Sequence, residues 1–322
     1  MEYMKSSEYA SGLLERVIQR VETVIVGKKK EIRLILIAML SGGHVLLEDV
    51  PGTGKTRLIR TLASCLSANF GRIQFTSDVM PSDVTGTSVY KPMTGEFEYR
   101  PGPIMANIIL GDEINRASPR TQSALLEAME EKHVTVDGVT YALPRPFLLL
   151  ATQNPLQFEG TYRLPEAQLD RFLMKLSLGY PDIDGEIEIM NRQEFVSISP
   201  VKPVMLAEEL VKMQREVAGV FVDPSLKKYI AEFAAASRKH KDLVLGISPR
   251  GSLAWMMASQ AAAYLNGRTY VIPDDVKEVA LPVLSHRIRT RYELLQSSDA
   301  ERIVVSLLQQ LPVPVQSSRM RG

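Results

Sequence analysis

Asp49-Val50-Pro51-Gly52-Thr53-Gly54-Lys55-Thr56 decides how the rest of this chain is read. An apolar strand, His44-Val45-Leu46-Leu47, runs into it, and a helical pattern of Leu58, Ile59, Leu62, Ala63 and Leu66 runs out of it. Strand, glycine-rich loop and helix, in that order, form the context in which such a loop cradles phosphate. Gly52 and Gly54 let the backbone turn tightly, so that successive N–H groups face an anion at the positive end of the following helix. Lys55 is then placed to reach the β- and γ-phosphates of a nucleotide, and Thr56 to offer its hydroxyl to Mg²⁺. The full pattern, G-x-x-x-x-G-K-[ST], asks for glycine at position 49, where this chain has Asp49. The cradle from Gly52 to Thr56 is intact, so the departure is expected to alter the entry to the loop more than the phosphate contacts. An ordinary turn that binds nothing has no use for a Lys-Thr pair directly after its last glycine.

The 322 residues suffice for two domains, and 45% apolar with 23% charged residues is the composition of a globular protein. A net charge of +1 argues against a nucleic-acid partner, since the only basic clusters, Lys28 to Lys30 and the run from Arg287 to Arg291, read as solvated faces. Cys65 is the single cysteine, sits in an apolar helical stretch and offers no disulfide. The N-terminus lacks a signal-peptide pattern, and the apolar run Leu34 to Leu40 is too short to span a bilayer, so a cytoplasmic location without a membrane span is expected.

Residues 6 to 41 read as two amphipathic helices broken at Val26-Gly27-Lys28. Strand candidates follow at His44 to Leu47, Arg72 to Thr76, Ile108 to Gly111, Phe147 to Thr152 and Phe172 to Leu178, alternating with helices. That alternation predicts an α/β domain with a mostly parallel sheet, which binds ligands at the carboxyl ends of its strands. Two hairpins are grafted ahead of core strands: Ser88 to Tyr99, turning at Thr94-Gly95, and Val134 to Tyr141, turning at Asp137-Gly138. Beyond Ile198 to Pro203 the strands stop, and Asp223-Pro224, Ser248-Pro249 and Pro273-Asp274-Asp275 mark helix starts. The expected division is an α/β domain over 1–190, a linker over 191–202 and a small all-α domain over 203–322.

The strand Asn107 to Gly111 ends in Asp112-Glu113, two carboxylates on the sheet edge where the phosphate loop opens. Asp112 is suited to hold Mg²⁺ through water, and Glu113 to orient and polarise an attacking water. Many strands end in an acidic turn that caps the next helix, and Ser118 begins such a helix, but behind a phosphate loop the paired carboxylates favour the functional reading. Phe147 to Thr152 runs into Gln153-Asn154-Pro155, where the Asn154 amide can donate to a γ-phosphate and accept from a lytic water. The alternative for Asn154 is a turn residue before proline. Arg171 precedes the fifth strand and can project toward a neighbouring subunit or pair locally with Asp170 or Glu166, while Arg250 opens a helix of the all-α domain.

These segments, with Gly42 to Glu48, Gly111 to Pro119, Ala151 to Pro155, Leu164 to Phe172, Ser248-Pro249-Arg250 and Val271 to Val276, resemble the MoxR family of AAA+ ATPases over nearly the whole chain. The resemblance implies a P-loop nucleotide-binding core with a parallel sheet and an all-α lid. It makes the phosphate loop Walker A, Asp112 and Glu113 Walker B, Asn154 sensor 1, Arg171 an arginine finger acting in the next subunit, and Arg250 sensor 2. It implies an adenine pocket at Val26 and Gly27, a helix-2 insert and a pre-sensor-1 hairpin in the two hairpins, and ATP and Mg²⁺ as ligands. The nucleotide-binding set is then Val26, Gly27, Pro51, Gly52, Thr53, Gly54, Lys55, Thr56, Arg57 and Arg250, with Thr56 and Asp112 at the metal. Such proteins typically form rings of six and act as chaperones that mature protein clients or insert metal cofactors, often beside partners carrying von Willebrand factor A domains. Asp49 and Lys28 stand where many relatives carry Gly and Gln.

A hydrolase that remodels a client protein is therefore the leading expectation. The alternatives are a nucleotide-gated binding scaffold, which would have no need of Glu113, Asn154 and Arg171, and a nucleic-acid motor, which the near-neutral charge disfavours.

Overall fold

A computed structural model describes residues 2–49, 52–154, 160–193, 202–291 and 297–312. The chain divides into two compact units, Gly12–Arg215 and a second made of Met1–Ser11 with Glu216–Gly322.

The first unit is built on one parallel sheet of five strands, β1 (Val45–Glu48), β2 (Phe70–Gln74), β3 (Ile108–Asp112), β4 (Leu148–Gln153) and β5 (Met174–Leu176), in the order β2-β3-β4-β1-β5. β3 and the apolar residues of β1 and β4 are fully buried, as expected of central strands covered on both faces. Leu46, Ile109, Leu149 and Ala151 share one face and pack with Leu125, Leu126 and Met129 of the helix Pro119–Glu131. Register does the rest: Glu48 pairs with Gln153 and Gln74 with Asp112, so strand ends far apart in sequence finish at one edge. At Gly71 a Cβ would lie 2.7 Å from the Pro103 carbonyl oxygen, so β2 admits no side chain there.

All five expected strands form, with shifted ends. His44 lies just ahead of β1, its carbonyl accepting from Leu173 N–H at 2.8 Å, while its ring Nδ1 accepts from Leu149 N–H at 3.0 Å and Nε2 lies 3.2 Å from the Met129 carbonyl oxygen. β5 is shorter than Phe172 to Leu178 because Phe172 N–H closes a turn onto Leu169, and because residues 177–179 turn aside to bind Asp49. The hairpins form at Gly86–Lys91 with Glu96–Pro101 and at His133–Val136 with Val139–Ala142. Asp137 (φ 50°) and Gly138 (φ 79°) have the left-handed pair that a type I′ turn requires. The two initial helices are Glu2–Glu22 and Lys29–Leu40.

In the second unit Asp223 and Ser248 cap the helices Pro224–Lys239 and Pro249–Leu265, accepting from Ser225 N–H and Gly251 N–H. The helix Pro273–Leu284 is capped from within, Asp275 accepting from Ile272 N–H at 2.9 Å. Trp255 fills the core against Phe233, with ring centroids 4.9 Å apart, and donates its indole N–H to the Val276 carbonyl. One small ribbon, Leu243–Leu245 antiparallel to Arg289–Thr290, is added to the helices. Most of the linker expected over 191–202 lies outside the described residues. Val204 N–H donates to the Cys65 carbonyl and Gln214 to the Met39 carbonyl, which fastens residues 204–214 to the α/β unit.

Candidate nucleotide site

The phosphate loop leaves β1 and enters the helix Lys55–Cys65. Gly52 (φ 88°) and Gly54 (φ 81°) hold left-handed backbone that a side chain would oppose, and Gly54 caps the helix without any side-chain hydrogen bond to its first amides. The positive N-terminal end of the helix therefore faces the loop, the arrangement that favours an anion there. Pro51 lies outside the described residues. Lys55 Nζ rests 3.2 Å from Thr53 Oγ1, and burial lowers its pKa while the charges of Asp49, Asp112 and Glu113 pull it back up. Lys55 thus sits at the mouth of the loop within the field of three carboxylates.

Gly52, Thr53, Gly54, Lys55, Thr56, Arg57, Asp112, Glu113 and Asn154 all line one hollow of about 450 Å³. The acidic turn is not spent on capping: the next helix, Pro119–Glu131, takes Ser118 as its cap. Asp112 is buried, with Oδ2 accepting from Arg72 Nε at 2.8 Å and Oδ1 facing the Thr152 hydroxyl at 3.4 Å. Glu113 has left-handed backbone (φ 58°, ψ 49°), which is costly for a residue with a side chain and is held by its N–H donating to Thr152 Oγ1 at 2.9 Å. Its carboxylate pairs with Arg116 at 2.9 Å.

Comparison with known proteins decides the lineage. The model of the "ATPase family associated with various cellular activities (AAA)" matches residues 44–174, and that of the AAA lid domain matches 235–306. The chain is 52% identical to the uncharacterized protein YeaC of Bacillus subtilis, over 99% of this chain and all of that one. It is 42% identical to chaperone MoxR1 of Mycobacterium tuberculosis, over 94% of this chain and 82% of the relative. A crystal structure of a Cytophaga hutchinsonii protein superposes with a TM-score of 0.89 at 40% identity, covering 97% of this chain and 98% of the other. The chain belongs to the MoxR family of AAA+ ATPases.

As a MoxR-family ATPase it binds nucleotide, and its donor set fits Mg²⁺. The Thr56 hydroxyl and the Asp112 carboxylate are hard oxygens lining the same hollow. Among the described residues there is no group of three or more His, Cys, Asp or Glu able to cage a metal. Few protein oxygens, with water and substrate phosphates completing the shell, is how Mg²⁺ is usually bound. Among the described residues no helix is long and apolar enough to cross a membrane.

Not every expected residue reaches the hollow. Arg171 lines a separate recess with Gln168 and Glu130, and its Nε lies 3.3 Å from Glu130 rather than from either acidic residue beside it in sequence. Arg250 is exposed in the first turn of the helix Pro249–Leu265, in the other compact unit. Val26 and Gly27 (φ 69°) form the break between the first two helices, and Val26 lies beside Gly185.

The two residues that depart from the family pattern prove to have a shared place. Asp49 Oδ1 accepts from Ser177 Oγ at 2.9 Å and Gly179 N–H at 3.0 Å, and Oδ2 accepts from Leu178 N–H at 2.7 Å. Lys28 Nζ donates to the Leu178 carbonyl at 2.5 Å and to that of Tyr180 at 3.1 Å. Both straps hold the segment after β5, one from the phosphate loop and one from the Val26-Gly27 break. Asp49, noted from sequence only as a departure from the pattern, also lines the hollow, and Arg72, Gln74, Thr152 and Gln153 join it without having been given a role from sequence. Arg72 sits in a strand that is mostly not buried, Phe70–Gln74, where a charged residue carries no local signal.

Proposed function

We propose that this chain is a Mg²⁺-dependent ATP hydrolase that assembles as a ring of six and spends the hydrolysis on remodelling a client protein. The convergence of Lys55, Thr56, Asp112, Glu113 and Asn154 on one hollow carries the reading. In it, Lys55 and the loop amides bind the phosphates, and Glu113, fixed through Thr152, accepts hydrogen from the attacking water. Asn154 aligns that water with the γ-phosphate. Bound Mg²⁺, held by Thr56 and through water by Asp112, would neutralise charge building on the phosphate oxygens. Arg171, in a recess of its own, supplies the finger to the site of the adjacent subunit, and Arg250 senses the nucleotide from the helical unit.

A chaperone role draws support from the relative named chaperone MoxR1. Maturation of protein complexes, insertion of metal cofactors and a partner with a von Willebrand factor A domain belong to the same proposal. Phosphate release from Mg-ATP across a range of protein concentrations is its test. Specific activity should rise with concentration and fall ~10³-fold or more in Arg171→Ala, with nucleotide binding retained. Activity that is flat with concentration and unchanged in the variant would sink the shared site.

A further inference from the structure

We infer that Arg72 is a positioning residue for the magnesium site, holding one oxygen of Asp112 so that the other faces the hydrated cation. The inference rests on the nucleotide-site reading above and extends it to a residue on a different strand. Arg72 stands on β2, next to β3, and its guanidinium spans both strand ends. Nε donates to Asp112 Oδ2 at 2.8 Å and an Nη to Gln74 Oε1 at 3.1 Å. Gln74 is the register partner of Asp112, so the fork is braced on both strands at the level of the carboxylate.

The asymmetry between the two oxygens of Asp112 is what gives the contact a direction. Oδ2 has a charged donor at close range, whereas Oδ1 has only the Thr152 hydroxyl at 3.4 Å, a long and weak bond that leaves lone-pair capacity. The Asp112 side chain is 11% exposed and that of Arg72 51%, so the arginine pairs a carboxylate buried against the sheet while its own far end stays in solvent. Without Arg72 that carboxylate would keep one weak partner and be free to rotate. An outer partner that fixes a metal-ligating carboxylate typically contributes 10- to 100-fold to metal affinity. Arg72 also borders the hollow itself, so its loss would be felt at the cation and not at the fold.

The test is a Mg²⁺ titration of the binding of a fluorescent ATP analogue to the full chain, for the wild type, Arg72→Gln and Arg72→Lys. The Mg²⁺ midpoint should rise ~10- to 100-fold in Arg72→Gln. Affinity for the analogue in excess EDTA should stay at the wild-type value, and Arg72→Lys, which keeps the charge without the fork, should fall between the two. A midpoint that is unchanged would overturn the assignment. One that falls would do the same, since it would make Arg72 a competitor of the cation. Equal loss of binding in EDTA would overturn it too, because Arg72 would then be a phosphate ligand. Failure of the wild type to bind the analogue under any condition would instead remove the nucleotide-site reading beneath it.

Discussion

Asp49 and His44 show how a single side chain on the sheet is committed before any ligand arrives. Asp49 replaces a motif glycine and uses its carboxylate on three donors of the Ser177–Gly179 segment. Hydrogen bonds to a charged acceptor are individually worth about 1.5–3 kcal/mol. Asp49→Ala should therefore lower stability by roughly 3 kcal/mol, because it strands the buried Leu178 amide and the half-buried Gly179 amide as well as removing the acceptor. The shift of the denaturant midpoint reads this, and a midpoint equal to that of the wild type would contradict it. His44 adds a pH dependence. Burial first, then the Lys132 ammonium 2.8 Å from Nε2, lowers its pKa from 6.5 to about 3. The unfolded chain takes up a proton on this ring below pH 6.5 and the folded chain does not until about pH 3, so this contribution is whole above 6.5 and is lost as pH falls toward 3. At about 1.4 kcal/mol per pH unit, the wild type should lose about 2 kcal/mol more than His44→Gln between about pH 7 and about pH 5. Denaturant unfolding of both proteins at the two pH values measures the difference, and parallel losses would remove His44 as the cause.

Between elements, the two hairpins are not independent decorations. Tyr99 of the first stacks on Tyr141 of the second, with ring centroids 4.0 Å apart and planes 18° from parallel, and the Tyr99 hydroxyl donates to the Thr85 carbonyl. The second hairpin follows the helix Pro119–Glu131, which starts directly after the Glu113 turn, and Thr121 of that helix donates to the Val79 carbonyl ahead of the first. A series of contacts thus links the segment after Glu113 to both hairpins. Tyr141→Ala should speed amide exchange in Gly86–Pro101 at a cost of about 1 kcal/mol in stacking, without changing nucleotide affinity. Unaltered exchange there would show the hairpins to be uncoupled. Both hairpins were legible in sequence because Thr94-Gly95 and Asp137-Gly138 force their turns locally. The strands and the phosphate loop were legible for a like reason, since apolar runs and paired glycines act over a few residues. What was not legible depends on which strand lies beside which. Nothing local says that Arg72 meets Asp112, that Lys28 and Asp49 grip the same segment, or that Arg171 faces Glu130, because each pairing is made by tertiary packing, the first of them by the sheet order. The bonds of Val204 and Gln214 to Cys65 and Met39, residues far back in the chain, are of the same kind.

For the molecule as a whole, the Arg171–Glu130 pair would set the terms on which copies associate in the proposed ring. Within one chain the guanidinium already has a carboxylate at 3.3 Å, and its side chain is 31% exposed. To serve a neighbour's nucleotide it must exchange that partner for phosphate oxygens. A half-exposed pair contributes at most about 1 kcal/mol, so the exchange is cheap where a γ-phosphate is present and has nothing to gain where it is absent. Assembly should therefore follow ATP. Glu113→Gln removes the proposed proton acceptor while keeping the phosphate loop, so with Mg-ATP it should accumulate a species of about six chain masses, whereas with ADP or no nucleotide it should remain smaller. Adding Arg171→Ala to that variant should abolish the response to ATP with nucleotide still bound. Mass photometry of the single and double variants at matched concentration reads each state directly. If the double variant assembles with ATP as fully as Glu113→Gln, the finger lies elsewhere, and the Glu130 pair is only a surface ion pair.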